Sequence, residues 1–215
     1  MSLKLYTHPL ASYCQKVHVA LYENETPFEA VVVDLGDPVS RAKFLKVWPV
    51  GKFPVLHDDA FDRVIPESTI IIEYLEQKYP SKHRLIPVDP DLALQTRLQD
   101  RFFDLHVHEH MQKIVGNKLR PAASKDPHGV EQAEKALLLA YSLIDQQMST
   151  RTWSAGESFS MGDCAAAPAL YYANLVLPIA AEFPNTKKYW SRLMERPSFV
   201  RVVTEAKPYF HMFPG

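Results

Sequence analysis

Residues 80–90 read Pro-Ser-Lys-His-Arg-Leu-Ile-Pro-Val-Asp-Pro, and no other segment constrains the fold as strongly. Its three prolines remove backbone donors and fix φ, so neither a helix nor a central strand runs through it. Strand and helix patterns alternate on its N-terminal side; on its C-terminal side no strand pattern is found. The 215-residue chain is therefore read as a unit over 1–80, a linker over 81–90 and a second unit over 91–215.

Within the first unit, residues 3–7 alternate and residues 27–33 are β-branched, the marks of strands. Between them Cys14, Val17 and Leu21 fall at i, i+3 and i+7, which predicts a helix to about Glu23. Strand, helix and strand in 33 residues form a βαβ unit with a parallel pair. A polar helix over 39–47, a hairpin from 53–57 and 62–65, and a helix over 67–79 carrying Ile71, Leu75 and Tyr79 complete the order βαβ, helix, ββα. Beyond the linker every pattern is helical. Leu98, Phe102 and Leu105 share one face, and Ala133, Leu137, Ala140, Ile144 and Met148 share another. A helix is expected from Ser160 to about Leu175, and shorter ones beside Arg196-Pro197. The fold class is α/β followed by all-α.

Composition narrows the partners. Lys+Arg is 24 and Asp+Glu 25, so no basic field exists to hold nucleic-acid phosphates. Apolar runs fall far short of the ~20 residues that span a bilayer. The N-terminus lacks the pattern of a secretory signal. Cys14 and Cys164 stand 150 positions apart and make no disulfide framework, so a cytoplasmic location is expected.

Three segments carry candidate chemistry. The loop 7–14 lies beyond the carboxyl end of the first strand, where α/β sheets gather ligands. The helix that follows aims free N–H groups and a positive dipole end at whatever binds, favouring an anion such as a thiolate. Ser12 stands where either a capping or a ligand-facing hydroxyl would stand, and spacing does not separate the two. Cys14 opens the apolar 14/17/21 stripe and reads as a packing residue, as does Cys164. In Gly51-Lys52-Phe53-Pro54-Val55, a cis Phe53–Pro54 bond would turn the Phe53 backbone outward to pair with an extended peptide. Glu67-Ser68, at a helix start, suits a head group carrying both charges: the serine for a carboxylate, the glutamate for an ammonium. His106-Val-His108-Glu-His110 invites a metal reading, but the glutamate spacing of the HExxH pattern is absent and no further ligand cluster is evident. No metal is expected.

These segments, in this order, resemble the cytosolic glutathione transferases over essentially the whole chain. The marks are the GKFP segment, the Glu-Ser pair twelve residues after it, and Phe159-Ser160-Met-Gly-Asp163-Cys-Ala-Ala, itself a capping box. The resemblance implies a thioredoxin-like first domain and an all-helical second one, glutathione as co-substrate, and a homodimer. It assigns Glu67 and Ser68 to the γ-glutamyl end, the Phe53 backbone beside cis-Pro54 to the cysteinyl unit, and Lys52 to the glycyl carboxylate. The position of the activating serine or cysteine in two classes of the family is Ala11 here. Ser12 is the replacement expected, with Cys14, Tyr13 and Tyr6 behind it.

The implied activity is attack of a glutathione thiolate on a hydrophobic electrophile, as in detoxification. The alternatives are a glutathione-dependent isomerase or dehalogenase, or a catalytically silent fold-mate that binds glutathione or a partner. Lowering a thiol pKa from ~8.5 by ~2 units takes about 2.7 kcal/mol of preference for the thiolate. A charge-assisted hydroxyl bond supplies ~1.5–3 and a helix terminus ~0.3–1, so one of each suffices. The electrophile pocket is expected from Leu10, Phe103, His106, His110 and Tyr172.

Overall fold

The computed structural model describes residues 3–81 and 83–214. The first unit runs β1 (Leu3–Thr7), α1 (Ser12–Glu23), β2 (Glu29–Val32), α2 (Pro38–Val47), β3 (Val55–Asp58), β4 (Arg63–Pro66) and α3 (Ser68–Lys78). The sheet order is β2-β1-β3-β4. β2 is parallel to β1, Leu5 opposite Ala30, while β3 is antiparallel to both β1 and β4. This is the thioredoxin-like arrangement of βαβ, helix and ββα. Leu3, Leu5 and Thr7 alternate inward, as a half-buried strand requires. The carboxylate of Asp58 accepts the hydroxyls of Tyr74 and Tyr79 at 2.8 and 2.6 Å, seating α3 on the sheet.

The second unit comprises α4 (Pro90–Phe102), a π-helical segment (Phe103–His108), α5 (Glu109–Leu119), a 3₁₀ turn (Ala122–Ser124), α6 (Pro127–Met148), α7 (Met161–Val176), α8 (Pro184–Met194), α9 (Pro197–Ala206) and a closing 3₁₀ segment (Lys207–Met212). Between the units Leu85 and Ile86 are buried, and the Leu85 carbonyl accepts the Met161 N–H at 2.8 Å. The proline segment is therefore docked against the start of α7.

α7 is the centre of this half. The Asp163 carboxylate accepts from the Ser160 N–H and hydroxyl, both at 2.9 Å, from the Ser154 N–H at 2.8 Å and from the Tyr189 hydroxyl at 2.6 Å. Burial still holds its pKa above the ordinary range. The small residues 164–167 let α1 and α4 approach closely. Gly162 is needed there: a Cβ would sit 2.6 Å from Ser154 Oγ and 2.8 Å from Gln99 Cβ.

The α6 stripe from Ala133 to Met148 is buried throughout. The stripe of Leu98, Phe102 and Leu105 is not: Leu98 and Leu105 are exposed, and α4 buries Ala93, Thr96, Gln99 and Asp100 instead. The reason is electrostatic. The side chain of Lys16 on α1 is buried and lies 2.6 Å from Asp100 and 2.8 Å from Asp104, so the acidic face turns inward to meet it.

Candidate active site

One cleft of about 970 Å³ lies between the two units. From the first unit it is lined by Lys52, Phe53, Pro54, Glu67, Ser68 and Tyr13, together with Thr69 and Ile70. The whole expected glutathione set thus converges on a single cavity. The Phe53–Pro54 bond is cis, and Gly51 before it takes φ +70°, open to glycine at no cost. No hydrogen bond within the described residues uses the Phe53 backbone.

Glu67, immediately before α3, also has φ +70°, which for a residue with a Cβ costs on the order of 1–3 kcal/mol. Nothing in the sequence marks that strain, and such strain clusters at ligand-binding positions. No side chain caps α3, so its first-turn N–H groups face the cleft region unpaired. Ser68, next to them, is buried and lines the cleft.

Of the hydroxyl candidates, Tyr13 borders the cleft; Ser12, Tyr6 and Cys14 are not among the residues lining it. Ala11 caps α1 without a side-chain bond, placing Ser12 at the first helical position, largely buried. Neither the Ser12 nor the Tyr13 hydroxyl is hydrogen-bonded within the described residues. Burial, with the carboxylates of Asp104 and Glu109 nearby, pushes the Tyr13 phenol well above its ordinary pKa. It stays a neutral donor. Tyr6 packs on Phe44, ring centroids 5.9 Å apart, beneath α2. Cys14 is fully buried with a thiol pushed up to about 12 by desolvation, and its sulfur accepts the His8 N–H at 3.5 Å. His8 itself stacks on Phe53 at 6.0 Å and meets Tyr209 of the C-terminal segment edge-on at 5.4 Å.

The second wall differs from the residues expected for it. It is formed by Arg101, Asp104, Leu105, His108, Glu109 and, further along α5, Gln112, Lys113, Gly116 and Arg120. Phe103 and Tyr172 lie in the core, Tyr172 accepting the Gln15 side-chain N–H at 3.0 Å. His106 is exposed beside Phe102, and neither His110 nor Leu10 borders the cleft. The cleft row runs through 101, 104, 105, 108, 112 and 116 at steps of three and four residues, the spacing of one helical face, and Phe103, His106 and His110 lie on the other side of that run.

Beneath the cleft the two walls are joined. Thr69 Oγ1 receives the Lys16 ammonium at 3.0 Å and donates to Asp100 at 2.8 Å, while Arg101 reaches Asp100 at 3.0 Å and also Asp104. His108 sits above this network with its ring centroid 4.0 Å from that of Tyr13. It is 3% exposed, and its buried Nδ1 has no partner. Desolvation, with Lys16 nearby, lowers its pKa to about 3, so the ring is neutral. Among the described residues no group of three or more His, Cys, Asp or Glu is arranged to hold a metal.

Comparison with known proteins agrees with this geometry. The model of the glutathione S-transferase N-terminal domain matches residues 5–83, and that of the C-terminal domain matches residues 106–197. Glutathione S-transferase GstB of Escherichia coli is 27% identical over 88% of this chain and 91% of its own. A glutathione S-transferase from Methylobacillus flagellatus, solved with glutathione bound, superposes with a TM-score of 0.84 at 28% identity, covering 93% of this chain and 98% of that one. One from Methylobacterium radiotolerans, solved with glutathione sulfonate, gives 0.81 at 27% identity over 94% and 95%. The chain belongs to the glutathione S-transferase family.

Proposed function

We propose that this protein is a glutathione transferase that binds glutathione along the first wall of the cleft and attacks an electrophile held against the second. The observation that carries the reading is the convergence of Lys52, Phe53, Pro54, Glu67, Ser68 and Tyr13 on one cavity. The γ-glutamyl carboxylate docks on the Ser68 hydroxyl and the free N–H groups of α3, where the helix dipole favours an anion. Glu67 accepts from the ammonium group. The Phe53 backbone pairs with the cysteinyl unit as a sheet edge does, and Lys52 meets the glycyl carboxylate. In this reading residues 1–80 supply the glutathione wall, 81–90 link, and 91–215 supply the electrophile wall.

The thiolate then lies at the start of α1, and the Tyr13 hydroxyl donates to it. A phenol held protonated by burial is suited to that task. The test is a pH titration of glutathione thiolate absorbance with and without protein. A bound pKa well below the free value of ~8.5 is expected. Tyr13→Phe raises it back by about one unit, the equivalent of ~1.4 kcal/mol. An unchanged value in Tyr13→Phe together with a rise in Ser12→Ala would transfer the role to Ser12, whose hydroxyl is also unpartnered. Binding without any shift would favour the isomerase or silent-binder reading, which Ala11 at the usual activating position keeps in play.

A second copy of the chain is the proposed partner, consistent with exposed Leu94 and Leu98 one turn apart on α4. A monomeric mass in sedimentation would refute it. The proposed location is the cytoplasm; no helix among the described residues is long and apolar enough to cross a membrane. Detection outside the cytoplasm on cell fractionation would overturn it.

A further inference from the structure

We propose that the second wall selects its co-substrate by charge: Arg120 and Lys113, at the far end of the cleft, hold an anionic tail carried well beyond the reactive carbon. The preferred substrate class is then an elongated electrophile ending in a carboxylate rather than a wholly apolar molecule. This inference rests on the glutathione reading of the same cleft.

The lining chemistry is the first observation. Among the described residues, Leu105 is the one apolar side chain that the second wall contributes. An electrophile apolar throughout would strip water from the charges around it and give them no partner in return. Those charges are unevenly spread. Arg101 is occupied by Asp104 and by Asp100, the latter at 3.0 Å. Glu109 stands at the sulfur end, close enough to Tyr13 to help hold its phenol protonated. Residues 113–126, by contrast, carry Lys113, Lys118, Arg120 and Lys125 against Asp126 alone, a basic end in a chain whose net charge is -1.

Asp126 does not cancel that end. One of its oxygens caps α6 by accepting the Gly129 N–H at 2.8 Å, and the other accepts from Lys113 at 2.7 Å. The Arg120 guanidinium, 4.0 Å from that second oxygen, makes no side-chain hydrogen bond among the described residues. Gly116 is the third observation. It lines the cleft one turn before Arg120, and a Cβ built there would meet nothing within 4 Å. Glycine inside a helix costs stability relative to alanine, and neither close packing nor a left-handed backbone requires it here. Its missing side chain leaves an open path along the wall from Gln112 to Arg120.

At 1.5 Å per residue, Lys113 lies about 8 Å and Arg120 about 18 Å along the helix from His108, whose ring is 4.0 Å from that of Tyr13. The thiolate attacks at the Tyr13 end, where the C–S bond forms as the leaving group departs with its electron pair. Glu109 repels an anion there and the basic end attracts it, so the tail points outward.

The experiment uses the full-length protein with glutathione and measures kcat/KM for N-(4-chloromethylbenzoyl)-6-aminohexanoate and for its terminal amide, which differ only in charge at the end of the tail. At low salt the carboxylate should be favoured by about tenfold, and the ratio should fall towards one in about 0.5 M salt, which screens exposed charges. Arg120→Gln should bring the low-salt ratio below about threefold, and Arg120→Lys should keep most of it. Gly116→Leu should lower both long electrophiles relative to benzyl chloride, which has no tail. Thiolate titration of bound glutathione confirms a folded, loaded site in each variant. Equal rates on acid and amide in the wild type, or a preference that salt and Arg120→Gln leave unchanged, would overturn the proposal. So would a glutathione-loaded protein that turns over neither long electrophile. Failure of the wild type to bind glutathione at all would instead defeat the underlying reading, and this one with it.

Discussion

The two walls of the cleft are built by different means. On the first, Phe53, Pro54, Glu67 and Ser68 sit at the ends of β3 and α3, where turn geometry within a few residues places each side chain. On the second, one continuous helical run presents its residues by phase, and phase accumulates along the helix. His108 falls on the cleft side of that run with Arg101, Asp104, Leu105 and Gln112, and His106, two residues earlier, does not. Ends are fixed locally; faces depend on everything before them.

The sharpest way to break this comparison is to cut what holds the walls together. Lys16, on α1, contacts Thr69 of the first wall and Asp100 and Asp104 of the second, all with little solvent. Lys16→Met leaves the two buried carboxylates with only the half-exposed Arg101 guanidinium as a cationic partner. A loss of about 3–5 kcal/mol in denaturant unfolding is expected. A loss below ~1 kcal/mol would mean that apolar packing alone positions the walls.

Two buried histidines sharpen the comparison through pH. His18 packs behind the first wall, 3.3 Å from Thr7 Oγ1, and burial lowers it to about 4; His108, in the second, is lowered to about 3. Unfolded, each ring takes up its proton near pH 6.5. Between pH 6.5 and 4 the unfolded chain therefore binds more protons than the folded one, and acid favours unfolding. The stabilisation is complete above pH 6.5 and falls by about 3 kcal/mol per ring on the way to pH 4. His18→Gln and His108→Gln should each flatten that slope in chemical unfolding measured across pH. A slope unchanged by either substitution would show that the ring concerned is protonated in the folded protein.

The same contrast explains what the sequence made legible. The βαβ unit, the proline break, the α6 stripe and the Ser160/Asp163 box rest on periodicity and capping chemistry, which act over a few residues. GKFP and Glu-Ser are likewise local, and their residues meet in the cleft. The left-handed Glu67 was not legible, because no side chain announces a backbone conformation imposed by its surroundings. The inward face of α4 was misjudged for a related reason. Leu98 and Leu105 look like a core stripe until Lys16, about eighty residues earlier in the sequence, draws Asp100 and Asp104 inside. Tyr209 reaching His8 from the last segment is a contact of the same long-range kind.

The smallest expected effect is the most direct test of helix phase. His106 stands two residues before His108, about 200° round the helix, and so points away from the cleft that His108 lines. It is exposed, its ring centroid 5.3 Å from that of Phe102. His106→Ala should therefore change stability by no more than ~0.5 kcal/mol, the usual range for a surface site. Steady-state kcat/KM for a hydrophobic electrophile such as benzyl chloride should stay within about twofold of wild type, since a 1.4 kcal/mol change is needed for tenfold. A tenfold loss would mean that the His106 side chain reaches the cleft. The second wall would then present the face that carries Phe103, His106 and His110.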